Sequence, residues 1–218
     1  MNRLVVFDLD GTLIDSKRDL ADSANEMLTG YGAAALTEDA IGHMVGAGAA
    51  QLVARVLQAA QLNVPLDEAL ARFLENYDRR LTNHTRPYHG IPELLVELES
   101  EGVKMSLLTN KPLEASARIL EAFGLSKFFR LRVGGDGPWP RKPAPEGLRF
   151  LMKEESADSS QTMLVGDSGV DLSTARNAGV RICLARYGFG FADVAPETLR
   201  GDELLVDEPS QIAGAVWQ

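Results

Sequence analysis

The polar residues of this sequence that could do chemistry together all stand directly after short apolar runs. Asp8 and Asp10 follow Leu4–Phe7, Thr109, Asn110 and Lys111 follow 103–108, and Gly166, Asp167 and Ser168, with Asp171 beyond them, follow 163–165. In open α/β sheets ligands lie at the carboxyl ends of the strands, so strands at these runs would bring the polar residues to one edge. Carboxylates gathered there cannot sit together bare, because like charges in one site raise each other's pKa and oppose folding. The pattern therefore calls for a cation. Oxygen ligands without His or Cys suit Mg²⁺, which takes one or two carboxylates, waters and a substrate phosphate. Any one Asp at a strand end is more commonly a helix N-cap, and Asp171, opening the helical pattern 172–178, fits that reading as well. Asp8 and Asp10 resist it, because two carboxylates flanking one leucine after a buried strand are costly without a metal or a partner.

The elements that must carry these residues can be read from hydrophobic period. Leu4–Phe7 is a continuous apolar run ending in a carboxylate, the look of a strand buried on both faces of a parallel sheet. Similar runs recur at 103–108, 129–133, 163–165, 182–185 and, more weakly, Leu204–Val206. Pro92 opens one helical pattern between them, and Pro112 opens another that closes at Gly124. This alternation predicts an α/β protein with a Rossmann-like parallel sheet. One stretch breaks it. Over 16–84 apolar residues repeat only at helical spacing: Leu20, Met27 and Tyr31, then Leu52, Val53, Val56 and Leu57, then Leu70, Phe73, Leu74, Tyr77 and Leu81. Residues 16–84 are expected to form an all-helical cap inserted after the first strand, leaving 1–15 plus 85–218 as the core.

Composition narrows the function classes. The chain has 218 residues, 45% hydrophobic and 24% charged, as a folded globular protein does. Its net charge of −9 and the lack of any basic run longer than Arg79-Arg80 argue against a nucleic-acid partner. The helical segment is no basic module either, with six basic and nine acidic residues over 16–84. A lone Cys183 forms no internal disulfide, and no stretch approaches the ~20 apolar residues of a membrane helix. The opening apolar run is too short for a signal peptide, so a cytoplasmic location and no membrane partner are expected.

F-D-L-D-G-T-L (7–13), L-T-N-K-P (108–112), R-K-P-A-P (141–145) and V-G-D-S-G-V-D (165–171) stand in the order and spacing of the haloacid dehalogenase-like hydrolase superfamily, which the chain resembles from end to end. Within it the chain resembles the phosphoglycolate phosphatase group, through Asp15-Ser16, G-A-G-A-A-Q-L (46–52), Tyr88-His89-Gly90 and G-G-D (134–136). That resemblance implies a Mg²⁺-dependent phosphatase acting on a small phosphomonoester, with 2-phosphoglycolate the first candidate. It implies Asp8 as the nucleophile that forms an aspartyl-phosphate and Asp10 as general acid and then base. It also implies Mg²⁺ ligation by Asp8, the Asp10 carbonyl and Asp167, with Asp171 as a direct or more distant ligand. Thr109 and the Asn110 amide would hold the phosphoryl oxygens, and Lys142 would neutralise them while ordering Asp8.

Other residues carry plainer expectations. Gly46-Ala47-Gly48 lacks the third glycine and preceding strand of a dinucleotide fingerprint, so it reads as a turn at the head of a cap helix. The resemblance makes that turn the substrate-facing loop, where backbone N–H groups of Gly46 and Gly48 could receive a carboxylate. Lys111 is expected to be solvated or to contact the far end of the substrate, and Arg186 could reach it. His43, His84 and His89 are too scattered for a metal site.

Absences separate related chemistries. The cap has no lysine after Lys17, which disfavours a phosphonate hydrolase, and the presence of Asp10 disfavours a dehalogenase. A phosphosugar mutase of the same superfamily stays open, as does a non-enzymatic phospho-acceptor switch. The expected partner is a small phosphorylated metabolite, and the chain is expected to be a monomer or homodimer.

Overall fold

A computed structural model describes residues 3–216. The chain begins with β1 (Leu4–Phe7) and a two-residue β2 (Ile14–Asp15), then runs through four helices, α1 (Lys17–Gly30), α2 (Glu38–Gly42), α3 (Ala49–Ala59) and α4 (Leu66–Asp78). It returns through β3 (Arg86–Pro87) and alternates as α5 (Ile91–Ser100), β4 (Lys104–Leu108), α6 (Leu113–Ala122), β5 (Leu131–Val133), α7 (Glu146–Glu154), β6 (Thr162–Gly166), α8 (Gly169–Ala178), β7 (Arg181–Ala185), β8 (Leu204–Val206) and α9 (Ser210–Val216). Six strands form a parallel sheet in the order β5-β4-β1-β6-β7-β8, as the alternation predicts.

β1 lies inside the sheet because both of its faces are apolar. Val5 and Phe7 join the core cluster beneath α5, α6 and α9, whereas Leu4 and Val6 join the one beneath α7 and α8, the period-2 alternation of a strand covered on both sides. Phe7 meets the Phe129 ring edge-on at 6.0 Å. The strands predicted at 103–108 and 129–133 are shorter than their apolar runs, since Val103 and Phe129 precede the paired residues and pack as core instead.

The helical segment follows its pattern. Leu20, Ala24, Met27 and Leu28 of α1, Val53, Val56 and Leu57 of α3, and Ala69, Phe73 and Tyr77 of α4 are buried in one cluster that continues into the β1 face of the sheet. Leu74 departs from it at 38% exposed, because it borders a cavity rather than the core. Two crossings join the segment to the sheet. There β2 pairs antiparallel with β3, and the buried Asp19 carboxylate accepts from His84 N at 2.9 Å, Thr85 N at 2.7 Å and Thr85 Oγ1 at 2.8 Å. That clasp holds the outgoing and returning chain together.

Candidate active site

The sheet order decides which side chains meet. β1 pairs with β4 on one side and β6 on the other, with Phe7 opposite Leu107 and Val165, so all three strands end at the same level. The residues after them therefore emerge together. Asp8 still donates its N–H to Val165 O at 2.9 Å, and Thr109 donates to Val133 O at 2.9 Å, which extends the ladders to the reactive edge.

Asp8, Asp167 and Asp171 are all buried there, each presenting an oxygen within 4.8 Å of the others. Lys142, only 5% exposed, lies among them, its Nζ 2.8 Å from Asp8 Oδ1 and 2.6 Å from Asp171 Oδ1. The contact with Asp8 is an ion pair without a well-angled hydrogen bond, and Asp8 Oδ1 is left without a hydrogen-bond partner. Asp167 Oδ2 accepts from Gly190 N at 2.8 Å. Asp171 is not the N-cap of α8. Ser168 is, and Asp171 stands at the third helical position, completing a capping box in which Asp171 N donates to Ser168 Oγ at 3.3 Å and Ser168 N donates to Asp171 Oδ2 at 3.1 Å, with Ser168 Oγ donating to the same Oδ2 at 2.6 Å. Its other oxygen faces Lys142, so one carboxylate does both jobs.

Electrostatics show that these charges are not fully met within the protein. Burial pushes the Asp8 carboxyl up to about 6 despite Lys142, with Asp171 adding to the rise. Burial and the neighbouring Asp171 and Asp8 carry Asp167 well above the ordinary carboxylate range. Lys142 stays firmly protonated, because Asp171 and Asp8 outweigh the burial that would lower it. An oxygen-only donor set, with one lysine set against three buried carboxyls that burial and then one another hold up, fits a hard divalent cation. The backbone is shaped for closeness as well. Gly11 has φ +83°, and a Cβ there would stand 1.9 Å from Asp167 Oδ2.

Asp10 is turned away from this cluster. Its Oδ1 accepts from Ser16 Oγ at 2.5 Å and from Lys111 Nζ at 2.7 Å. Lys111 is therefore neither solvated nor free for the far end of a substrate. It is 6% exposed, and it also donates to Tyr77 Oη at 2.5 Å, with Nζ 4.6 Å from that ring. Burial alone would lower its pKa, but Asp10 and Tyr77 raise it. The tyrosine hydroxyl is pushed by burial up to about 12. Tyr77 was legible only as a core position on a helical stripe, since nothing in the period of a helix announces what its hydroxyl meets.

The side chain of Asn110 is committed to the protein: Nδ2 donates to Gly46 O at 2.9 Å and Lys142 O at 3.0 Å, while Oδ1 accepts from Lys142 N at 2.9 Å. It ties the Gly46–Gly48 turn and the Lys142 loop to the end of β4. Thr109 Oγ1 accepts from Lys111 N at 3.2 Å, which leaves its proton to donate. Arg186 does not reach this region; it donates to the exposed Asp207 at 2.5 Å. Of the histidines, His43 Nδ1 lies 3.0 Å from Asp193 Oδ1, and His84 meets Asp19 through its backbone.

A cavity of about 250 Å³ opens over this edge. Asp8, Asp10, Thr109, Asn110 and Lys111 form its floor, and Leu52, Phe73, Leu74 and Tyr77 of the helical segment form its roof. Gly46 and Gly48 border it at the head of α3, where Gly48 is the N-cap with φ +91°. At the rim Arg118 of α6 pairs with Asp78 of α4. The geometry can seat a small anion against Asp8 and enclose whatever is attached to it.

The model of the haloacid dehalogenase-like hydrolase family matches residues 5–185 of this chain. The chain is 36% identical over 203 residues to a plasmid phosphoglycolate phosphatase of Cupriavidus necator, covering 92% of this chain and 87% of that one. It is 39% identical over 192 residues to a phosphoglycolate phosphatase of Pseudomonas syringae pv. syringae, covering 86% and 70%. Its structure is similar to the crystal structure of a predicted phosphoglycolate phosphatase from Haemophilus somnus, with a TM-score of 0.91, 28% identity and coverage of 98% and 97%.

Proposed function

This chain belongs to the haloacid dehalogenase-like hydrolase family as a phosphomonoester hydrolase, and from that premise we propose that it is a Mg²⁺-dependent phosphatase of 2-phosphoglycolate or a closely related small monoester, working through an aspartyl-phosphate. The observation that carries this reading is the state of Asp8: a buried carboxylate at the end of the central strand, clustered with two further buried carboxylates against the single ammonium of Lys142. The names of the relatives support the substrate.

In the first step an Asp8 oxygen attacks phosphorus, the bond from phosphorus to the alkyl oxygen breaks, and Asp10 delivers a proton to the departing alkoxide. In the second, Asp10 takes a proton from water as that water attacks the aspartyl-phosphate, releasing phosphate and restoring Asp8. Thr109 Oγ1 and the Asn110 backbone N–H donate to the phosphoryl oxygens, and Lys142 offsets their charge. Asp8, the Asp10 carbonyl and Asp167 would hold Mg²⁺, with Asp171, engaged by Ser168 and Lys142, close beside them as a direct or more distant ligand, and Mg²⁺ when bound lets an anionic carboxylate approach an anionic phosphate. Residues 16–84 act as the cap over a core of 1–15 plus 85–218, excluding bulk water from the cavity. The substrate carboxylate meets the N-terminus of α3 at Gly46 and Gly48.

Phosphate release from a panel of phosphorylated metabolites with Mg²⁺, ranked by kcat/KM, tests this. Multiple turnovers with 2-phosphoglycolate ranked first are expected, whereas a single stoichiometric burst would defeat the hydrolytic reading. Gly48→Val should lower kcat/KM for 2-phosphoglycolate at least about tenfold more than for an aryl phosphate. Equal losses would remove the α3 loop from carboxylate recognition.

A further inference from the structure

We propose that Lys111 and Tyr77 are positioning residues that orient Asp10 for proton transfer, so that the acid is set when the cap helix α4 is seated on the core. The proposal rests on the assignment of Asp10 as the general acid. Its basis is a continuous chain of contacts from cap to core: Tyr77 Oη to Lys111 Nζ at 2.5 Å, and Lys111 Nζ to Asp10 Oδ1 at 2.7 Å. Tyr77 is itself held by α4 and by stacking on Phe73, with ring centroids 5.9 Å apart at 11°. Ser16, at the start of α1, donates to the same Asp10 oxygen at 2.5 Å.

Both hydrogen bonds fall on Oδ1, which leaves Oδ2 as the oxygen that exchanges a proton in the cavity. An isolated carboxylate could rotate and present either oxygen. Here rotation would break two short bonds, one of them to a lysine with little exposure to water. A buried ion pair is a poor stability device, because well-packed apolar residues of similar volume serve as well or better. This pair also borders the cavity instead of the core, and it links segments that contribute different parts of the site. Its placement is explained by orientation of the acid. Tyr77 supplies what a core lysine could not: a second acceptor, from the cap, that holds Nζ together with Asp10.

A general acid matters in proportion to how badly the leaving group needs a proton. The test compares kcat/KM for glycerol 2-phosphate, whose alkoxide must be protonated as the P–O bond breaks, with that for para-nitrophenyl phosphate, whose phenolate departs as the anion. Neither ester carries a carboxylate, so loss of carboxylate binding cannot mimic the effect. Since acid catalysis contributes about 10²–10⁴-fold, Lys111→Met should lower the alkyl-to-aryl ratio about 100-fold and Tyr77→Phe about fivefold. Tyr77→Phe keeps the ring and its stack on Phe73, and it decides the matter if Lys111→Met does not fold. Equal loss on both esters in these variants would overturn the relay. Asp10→Asn separates the two readings. A ratio drop in Asp10→Asn with none in Tyr77→Phe or Lys111→Met sinks the relay alone, whereas no ratio drop in Asp10→Asn sinks both the relay and the acid assignment.

Discussion

Two buried carboxylates in this molecule stand in similar company and have opposite chemistry. Asp19 lies with Asp22 and His84, and Asp8 with Asp167 and Asp171; in each group the potential ligand atoms lie within 4.8 Å. At Asp19 the charge is met by two backbone N–H groups and a hydroxyl from His84 and Thr85. At Asp8 the charge meets a single ammonium, Lys142, which Asp171 shares, and burial keeps the carboxyl up at about 6 in spite of it. Burial and clustering of acids thus do not define a metal site. What distinguishes the two is whether the protein already satisfies the anion. Where it does so in full, the carboxylate is a clasp between the crossings of the helical segment; where three carboxylates share one lysine, the cluster is compatible with a cation.

The largest effect should follow from Asp8→Asn. Turnover should fall by at least about 10⁴-fold, measured as phosphate release under saturating substrate. The fold should not suffer. A raised carboxyl pKa means that the folded state loses stability as pH rises from 3.8 towards about 6, so the neutral amide removes that cost. In chelator at pH 7 the variant should melt no lower than the parent; a clear drop would put Asp8 in the same class as Asp19.

Metal dependence should divide the two clusters next. EDTA should abolish activity and Mg²⁺ restore it, and Mg²⁺ at about 100 times its Kd should stabilise the protein by about 2.7 kcal/mol. Asp19→Ala should retain that thermal shift, whereas a double substitution Asp167→Asn and Asp171→Asn should lose it. Retention of the shift in the double variant would place the metal elsewhere.

Asp19→Ala should produce the mirror image of Asp8→Asn. It leaves His84 N, Thr85 N and Thr85 Oγ1 without their acceptor, a loss of about 3 kcal/mol. For a chain of this size that lowers Tm by roughly 6–12 °C, while kcat of the folded fraction below the transition stays close to the parent value. A collapse of kcat in well-folded protein would contradict the clasp.

A third carboxylate marks the far end of the comparison. Glu203 is desolvated, yet it accepts from Arg200 N and Gly201 N and pairs with Arg176, which together hold it down at about 2. Because the folded pKa is depressed, its contribution is complete above the ordinary value of 4.5 and disappears as pH falls towards about 2. Glu203→Gln should therefore cost about 2 kcal/mol at pH 7 in a denaturation series, with parent and variant converging at the acid end. A constant gap between them would remove the ionic contribution.

Much of the architecture is legible in the sequence. Leu4–Phe7 and Leu204–Val206 are strands over the residues their apolar runs span, and the helical stripes of 16–84 bury the face that their spacing indicates. The short β2–β3 pair leaves no mark in the sequence, since two-residue strands carry no period. The site divided in the same way. That Asp8, Thr109 and Asp167 follow strands ending at one edge of the sheet comes from local pattern plus the rule for parallel sheets, whereas the adjacency of those strands comes only from the sheet order. That Asn110 turns its side chain to Gly46 and Lys142 does not, because those partners come from other loops.

By itself the sequence determined the strands, the helices and the edge at which the acids gather, because burial imposes a period of 2 or 3.6 on each segment independently of the rest. Only the tertiary structure decided which charge answers which. Lys111 lies 101 residues from Asp10 and 34 from Tyr77, and no local pattern relates them. Hydrophobic period states which side chains go inside. The tips of a buried lysine and tyrosine find their partners only when the helical segment comes to rest on the sheet.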